Sequence, residues 1–213
     1  MPPSKDSPYR LLVEGPADQF SVINLMRRHG YDWDDPSVTR PYVEAAGGID
    51  KVLRPATLRA AVKSYQRLGI VLDADLSPTR RWSDVRQQLA QTGVDLPEKP
   101  VAGGVVVPMG RHSTRFGLWM MPDNQEPGAL EHFLSKLVPS GDLRWPHAAA
   151  STETARTLGA PLREQDLLKG TIHAWLAWQK ESGQPFGQAL TTGVLGHDSP
   201  EARDFVNWFG RLF

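Results

Sequence analysis

The stretch LGIVLDAD, residues 68–75, decides the fold class of this 213-residue chain. Its first five residues are apolar without polar alternation, which is typical of a strand buried on both faces of a parallel sheet. This strand runs directly into Asp73-Ala74-Asp75. Ligands of open parallel sheets bind outside the carboxyl ends of the strands. We therefore expect a central strand that delivers carboxylates to the ligand-binding edge.

The segments on either side of this stretch alternate between strand-like and helix-like patterns. Short apolar runs at residues 10–13 and 40–45 predict two further strands, each followed by a helical pattern. Downstream, residues 104–108 and 116–121 predict a hairpin. The resulting order, β-α-β-α-β-α-β-β, predicts an α/β fold with a mostly parallel, Rossmann-like sheet flanked by helices.

The pattern becomes helical from Gly128 onward. Apolar residues at helical spacing predict helices at 129–138, 165–180 and 200–213. We expect an α/β core over residues 1–126 and a C-terminal helical extension over residues 127–213 that packs on the core.

Composition excludes several classes of protein. Lys and Arg number 24 and Asp and Glu number 24, so the formal net charge is zero and a polybasic nucleic-acid coat is excluded. The absence of cysteine excludes disulfide scaffolds, thiolate zinc sites, iron–sulfur clusters and cysteine nucleophiles. No apolar run is long enough for a membrane span, and the polar start MPPSKDSPYR lacks a signal-like segment. We expect a cytoplasmic protein.

Asp73 and Asp75 are the strongest candidates for metal binding. Residues i and i+2 of a strand point the same way, so these two carboxylates would repel each other. A divalent cation relieves such repulsion, and oxygen ligands favour Mg²⁺ or Mn²⁺. The alternative is that Asp75 begins the turn that continues through Leu76-Ser77-Pro78.

Other carboxylates are expected at the same edge. Glu14 follows the first strand, Asp123 follows the last strand, and Glu131 lies near the start of the next helix. The alternatives are that Asp123 forms a turn and that Glu131 stabilises the N-terminus of its helix. Asp18 is interpreted as a helix-capping residue.

Positive side chains near this edge are candidates for contacts with phosphate. The expected nucleic-acid-binding residues are Arg80, Arg81, Arg111 and Arg115. Lys169 is a candidate catalytic residue that would stabilise a charged transition state. The alternative for each of these side chains is a solvated surface charge. Core packing is favoured over base stacking for Trp82.

Two short motifs carry a resemblance to a known domain. Glu14-Gly15-Pro16-Ala17-Asp18 and Asp73-Ala74-Asp75, each after a predicted strand, resemble the Toprim domain of primases, topoisomerases and some nucleases. The resemblance implies acid–base or metal-binding roles for Glu14 and metal binding by Asp73 and Asp75. Asp123 and Glu131 resemble the downstream carboxylates that complete a second metal site in several Toprim nucleases.

A closer resemblance spans nearly the whole chain. It is to small stand-alone bacterial Toprim proteins of uncharacterised function, and the segments that carry it include LVEG at 12–15, GGIDK at 47–51, GLWMMPDN at 117–124 and HAWLAWQ at 173–179. This resemblance implies a Toprim-like fold and does not imply a reaction.

These observations lead to one main functional hypothesis and two rivals. The first is a Mg²⁺- or Mn²⁺-dependent enzyme acting on nucleic-acid phosphodiester bonds, a nuclease. The second is a conditional or non-catalytic Toprim module that works with a separately encoded ATPase, as in phage defence, with Trp208 and Phe209 on an exposed docking surface. The third is hydrolysis of a small phosphorylated molecule in a closed pocket.

Overall fold

The structure, a computed structural model, describes residues 5–110 and 114–213. Its strands are β1 (Tyr9–Val13), β2 (Tyr42–Ala45), β3 (Arg67–Asp73), β4 (Val105–Pro108) and β5 (Arg115–Met121). Within the described residues these five strands form one sheet in the order β2-β1-β3-β5-β4. Neighbours pair in parallel except β4 and β5, which are antiparallel. The mostly parallel α/β sheet predicted from the sequence is confirmed.

Helices flank the sheet and fill the C-terminal part of the chain. They are α1 (Pro16–Arg28), α2 (Ile49–Val52), α3 (Pro55–Ser64), α4 (Pro78–Leu89), α5 (Leu130–Ser135), α6 (Arg144–Thr157), α7 (Leu167–Ala177), α8 (Phe186–Thr191) and α9 (Pro200–Leu212), with a 3₁₀ turn at Glu164–Asp166. Across the described ranges, no helix combines the length and the apolar character that crossing a bilayer requires.

The sheet is covered on both faces, which explains the continuous apolar sequence of β3. Ile70 and Leu72 pack into a cluster with α3 and α4, whereas Val71 packs into the cluster on the opposite face, which is formed by α1 and the C-terminal helices. All three side chains are fully buried. Because successive strand residues point to opposite faces, a strand between two helical layers needs apolar residues at every position.

The last helix, α9, lies directly on the sheet. Gly69 of β3 and Gly117 of β5 make this approach possible, since a Cβ at Gly117 would lie 2.6 Å from Leu212 Cδ2. Trp208 and Phe209 are fully buried, and Trp208 Nε1 donates a hydrogen bond to the Val105 carbonyl at 3.0 Å. The expected docking surface at these two residues is therefore wrong: both side chains belong to the core.

Three parts of the helical structure differ from the sequence-based expectation, and one of them is α8, which was not predicted. Helix α6, which was not predicted, buries only Ala148 and Thr152 among its 14 residues, so its sequence carries almost no helical periodicity of large apolar residues. The single helix expected between the second and third strands is divided into α2 and α3, because Pro55 starts a new helix at its first position.

We expect α9 to be essential for folding. Trp208→Ala removes a fully buried indole and its hydrogen bond, and should lower the free energy of unfolding by about 3–5 kcal/mol. The matched control is Trp178→Ala, at an indole that is 41% exposed, with an expected loss below about 1 kcal/mol. Urea denaturation measures both changes. If both variants lost only a small and equal free energy of unfolding, the packing of α9 on the sheet would not be essential for folding.

Candidate functional site

The parallel pairing of β1 with β3 brings two predicted carboxylates together. Glu14 directly follows β1 and Asp73 ends β3, so both lie at the carboxyl edge of the sheet. Glu14 Oε1 accepts a hydrogen bond from the Asp73 backbone N–H at 2.9 Å. Burial raises the pKa of Glu14, and the neighbouring charge of Asp18 raises it further. The Glu14 side chain thus joins the ends of the two strands through Oε1.

Asp73 lies at the centre of an acidic edge, by which we mean the carboxyl edge of the sheet with Glu14, Asp18, Asp73 and Glu131. Its Oδ1 accepts a hydrogen bond at 3.0 Å from the backbone N–H of Leu130, the first residue of α5. Burial, together with the negative charges of Glu14, Asp18 and Glu131, raises the pKa of Asp73 to about 8. The ionised form is therefore disfavoured at neutral pH unless a cation binds nearby.

Asp18 belongs to this site, although sequence analysis assigned it to helix capping. Its Oδ2 does accept the Gly15 backbone N–H at 2.9 Å, as a capping residue would. Its side chain is nevertheless buried, and burial raises its pKa, with a further contribution from the charge of Glu131. The signal that could have identified it is the spacing E-G-x-x-D after the first strand.

Glu131 and Lys169 form an ion pair beside Asp73. Glu131 is the second residue of α5, Lys169 is in the first turn of α7, and Lys169 Nζ lies 3.1 Å from Glu131 Oε1. The hydrogen bond with Glu131 raises the pKa of Lys169, and the charge of Asp73 contributes in the same direction. The structure therefore brings both predicted residues to the acidic edge.

Asp75 does not point with Asp73 as expected. Strand β3 ends at Asp73, and Asp75 has a left-handed backbone with φ +51°. Its carboxylate pairs with the Arg81 guanidinium, whose Nε also donates to the Asp73 carbonyl at 3.1 Å. Asp75 therefore belongs to a turn, which was the alternative stated from the sequence. The alternation of side chains along β3 ends at Asp73 and does not include Asp75. Arg81 therefore connects the turn at Asp75 to the end of β3.

Asp123 also forms a turn. Its Oδ1 accepts the backbone N–H groups of Gln125 and Glu126 at 2.9 and 2.8 Å. Asp123 does not line the cleft that contains Asp73 and Glu131. Asp123 thus has the turn-forming role that was the alternative stated from the sequence, and it is not included in the site.

The four predicted arginines occupy different places. Arg80 is exposed in the first turn of α4, next to Arg81. Arg115 begins β5, at the sheet edge opposite Asp73, and its Nη1 donates to the Arg211 carbonyl at 2.9 Å. Arg111 lies outside the described residues. Of the three arginines that the structure describes, Arg80 and Arg81 lie at the acidic edge and Arg115 does not.

Two hollows meet at the loop that follows β3. A cleft of about 350 Å³ is lined by acidic residues and by cations, among them Asp73, Glu131, Arg163 and Lys169. A second hollow of about 280 Å³ is lined by Arg80 and Arg81. Asp75 and Leu76 line both hollows, and Leu76 is 71% exposed. Arg163 is a residue of this surface that the sequence did not indicate.

Trp82 does not contribute to this surface. Its side chain is buried, and its Nε1 donates to the Pro97 carbonyl at 2.9 Å. Core packing, the interpretation favoured from the sequence, is its role.

The donor chemistry of the edge fits a hard divalent cation. Carboxylate oxygens of Glu14, Asp73 and Glu131 are ligands of the kind that Mg²⁺ and Mn²⁺ prefer, and burial of like charges leaves a need for a positive ion. In the described ranges, no group of three or more His, Asp or Glu side chains has the geometry to hold a metal ion as it stands. Two of the carboxylates are engaged in ion pairs, Glu131 with Lys169 and Asp75 with Arg81.

Fold and site together define an α/β protein with a buried acidic centre at the carboxyl edge of a parallel sheet. The chain belongs to the family described as "Protein of unknown function (DUF3226)", whose model matches residues 8–213. Comparisons with curated proteins and with solved structures gave no match.

Asp73→Asn should change the pH dependence of stability in the metal-free protein. The pKa of Asp73 is about 8 in the folded state and about 3.9 in an unfolded chain, so the folded state binds the extra proton and wild-type stability falls as pH rises from 4 to 8. The variant keeps the Oδ1 acceptor and cannot ionise. It should be more stable than wild type by about 1–3 kcal/mol at pH 8 and equal to it near pH 4.

Urea denaturation with a chelator present, at pH 4 and pH 8, measures this difference. Asp204→Asn, at an exposed position of α9, is the matched control and should change stability by less than about 0.5 kcal/mol at either pH. An Asp73→Asn protein that is less stable than wild type at both pH values would contradict the charge repulsion inferred at this edge.

Proposed function

We propose that this protein is a Mg²⁺- or Mn²⁺-dependent enzyme that hydrolyses nucleic-acid phosphodiester bonds, a nuclease with a Toprim-like centre. The observation that carries the proposal is the convergence of Glu14, Asp18 and Glu131 on Asp73 beside Lys169. Buried carboxylates in a cleft whose neighbours perturb their pKa values are candidates for a functional site. Glu14 and Asp18 follow β1 and Asp73 ends β3, in the order of the two Toprim-like motifs.

Glu14, Asp73 and Glu131 would hold the metal. Bound at these oxygens, a divalent cation supplies Lewis-acid activation of water and of a phosphoryl oxygen. Asp18 fixes the turn after β1 through Gly15, and Arg81 fixes the turn after β3, so both keep the carboxylates in place. Glu14, through Oε2, is the candidate to orient a water molecule or accept its proton, because burial raises its pKa toward neutrality.

The surroundings of the centre favour a polymer over a small phosphorylated molecule. The two hollows meet at Asp75 and Leu76 and form a longer surface than a single pocket. Exposed cations lie on both sides, Arg80 beside one hollow and Arg163 beside the other. Phosphate groups before and after a scissile bond could contact these two arginines, which is how positive side chains position a nucleic-acid backbone.

One observation favours the conditional module as a second candidate. Asp75 is paired with Arg81 and Glu131 with Lys169, so two of the acidic side chains are already neutralised within the chain. A separately encoded ATPase, or the nucleic acid itself, would then supply the change that opens the centre. Trp208 and Phe209 of α9 are buried and do not provide the contact surface for such a partner. A cytoplasmic location stays a prediction for both candidates.

Metal binding tests the proposal first. Isothermal calorimetry should detect Mn²⁺ or Mg²⁺ binding to wild type, and Asp73→Asn should weaken it by at least about tenfold because it removes a negatively charged ligand. The Asp73→Ala, Asp75→Ala double variant should show no binding. Asp123→Asn, at a carboxylate that only forms a turn, is the control and should stay within about twofold of wild type.

Cleavage of labelled single- and double-stranded DNA and RNA then tests the reaction. The same Asp73→Asn variant should lose at least about 100-fold in rate. Metal binding without cleavage of any of these substrates would favour the conditional module. A wild-type protein that binds neither metal, with or without nucleic acid present, would overturn the proposal.

A further inference from the structure

Lys169 and Arg81 each pair with a carboxylate at the acidic edge, and they differ in how exposed their side chains are. Arg81 is only 17% exposed at its side chain and contacts both the Asp75 carboxylate and the Asp73 carbonyl. The Lys169 side chain is 59% exposed, whereas its partner Glu131 is 13% exposed. The carboxylate is thus fixed in the wall of the cleft, and the ammonium reaches it from the solvent side on a flexible stem.

The ion pair therefore joins a largely buried carboxylate to an ammonium group on a largely exposed side chain. Partly exposed Lys–carboxylate pairs are weak, since solvent screens the attraction and holding the long side chain costs entropy. A divalent cation interacts more strongly with the same oxygens because it carries twice the charge and contacts them directly. A divalent cation bound between Asp73 and Glu131 would compete with Lys169 for the negative charge of Glu131.

We propose that Lys169 is the built-in counter-cation of the acidic edge, and that it releases Glu131 when a divalent cation binds there and becomes available to a substrate phosphate. This inference rests on the metal-binding centre of the proposed function. Arg163, which pairs with Asp166 and is 70% exposed at its side chain, lines the same cleft, so the released ammonium and this guanidinium would face one phosphate backbone. Lys169 thus acts as a charge-balancing residue before metal binding and as a phosphate-binding residue afterwards.

Calorimetry with Mn²⁺ on Lys169→Met tests the competition without relying on activity. Removal of the competing ammonium should tighten metal binding by at least about threefold relative to wild type. Lys180→Met removes the same charge at an exposed position after α7 and should change the affinity by less than about twofold. Unchanged or weaker metal binding in Lys169→Met would overturn the inference.

A double-variant cycle separates competition at Glu131 from a general effect of charge. Glu131→Gln removes the group for which the two cations compete, so Lys169→Met should no longer tighten metal binding in the Glu131→Gln background. If Lys169→Met tightened metal binding equally in both backgrounds, Lys169 would act through its charge at a distance. The proposed release of Glu131 by Lys169 would then be wrong.

Chemical labelling measures the release itself. Brief acylation of wild type by an N-hydroxysuccinimide ester, followed by peptide mass spectrometry, should modify Lys169 at least about three times faster with saturating Mn²⁺ than with a chelator, because an ammonium held in an ion pair with Glu131 is a poor nucleophile. Lys180 is the internal control. A Lys169 labelling rate that metal leaves unchanged would overturn the inference.

The outcomes distinguish this inference from the proposed function. If wild type binds metal and Lys169→Met binds it no more tightly, the metal centre stands and the role of Lys169 is wrong. If neither protein binds metal, both the metal centre and the exchange are overturned.

Discussion

The hydrogen bond from the Asp73 N–H to Glu14 Oε1 is the contact on which the acidic edge depends. It requires parallel pairing of β1 and β3, so that both strands end at the same edge. It also places one carboxylate beside the next in a partly dehydrated position, where Asp18 and Glu131 add further negative charge. Repulsion of this kind opposes folding unless protons, internal cations or a metal ion compensate it.

The structure shows three forms of compensation within one small region. Asp73 is held toward its protonated form, Arg81 pairs with Asp75, and Lys169 pairs with Glu131. Arg81 also contacts the end of β3, and Lys169 interacts with the charges of Asp166 and Asp73 in addition to its ion pair with Glu131. These three features offset the repulsion among the carboxylates within the protein itself.

The C-terminal helices are part of the site as well as part of the core. Leu130 and Glu131 of α5 and Lys169 of α7 all lie beyond residue 126, yet each contacts or neighbours the carboxylates that follow β1 and β3. Helix α9 packs on the sheet beside Gly69 and Gly117, and it shares a hydrophobic cluster with β1 and β5. A division of the chain after residue 126 would therefore separate the two halves of one centre.

The sequence by itself determined the sheet, since an uninterrupted apolar run such as residues 68–72 suits a strand covered on both faces. It also determined that Glu14 and Asp73 share an edge, because parallel strands align their carboxyl ends. Only the tertiary structure decided three further features: the turn conformation of Asp75, the place of Asp18 in the acidic edge and the burial of Trp208. These depend on a backbone turn, on neighbours distant in sequence and on the space left by two glycines, which local sequence patterns do not record.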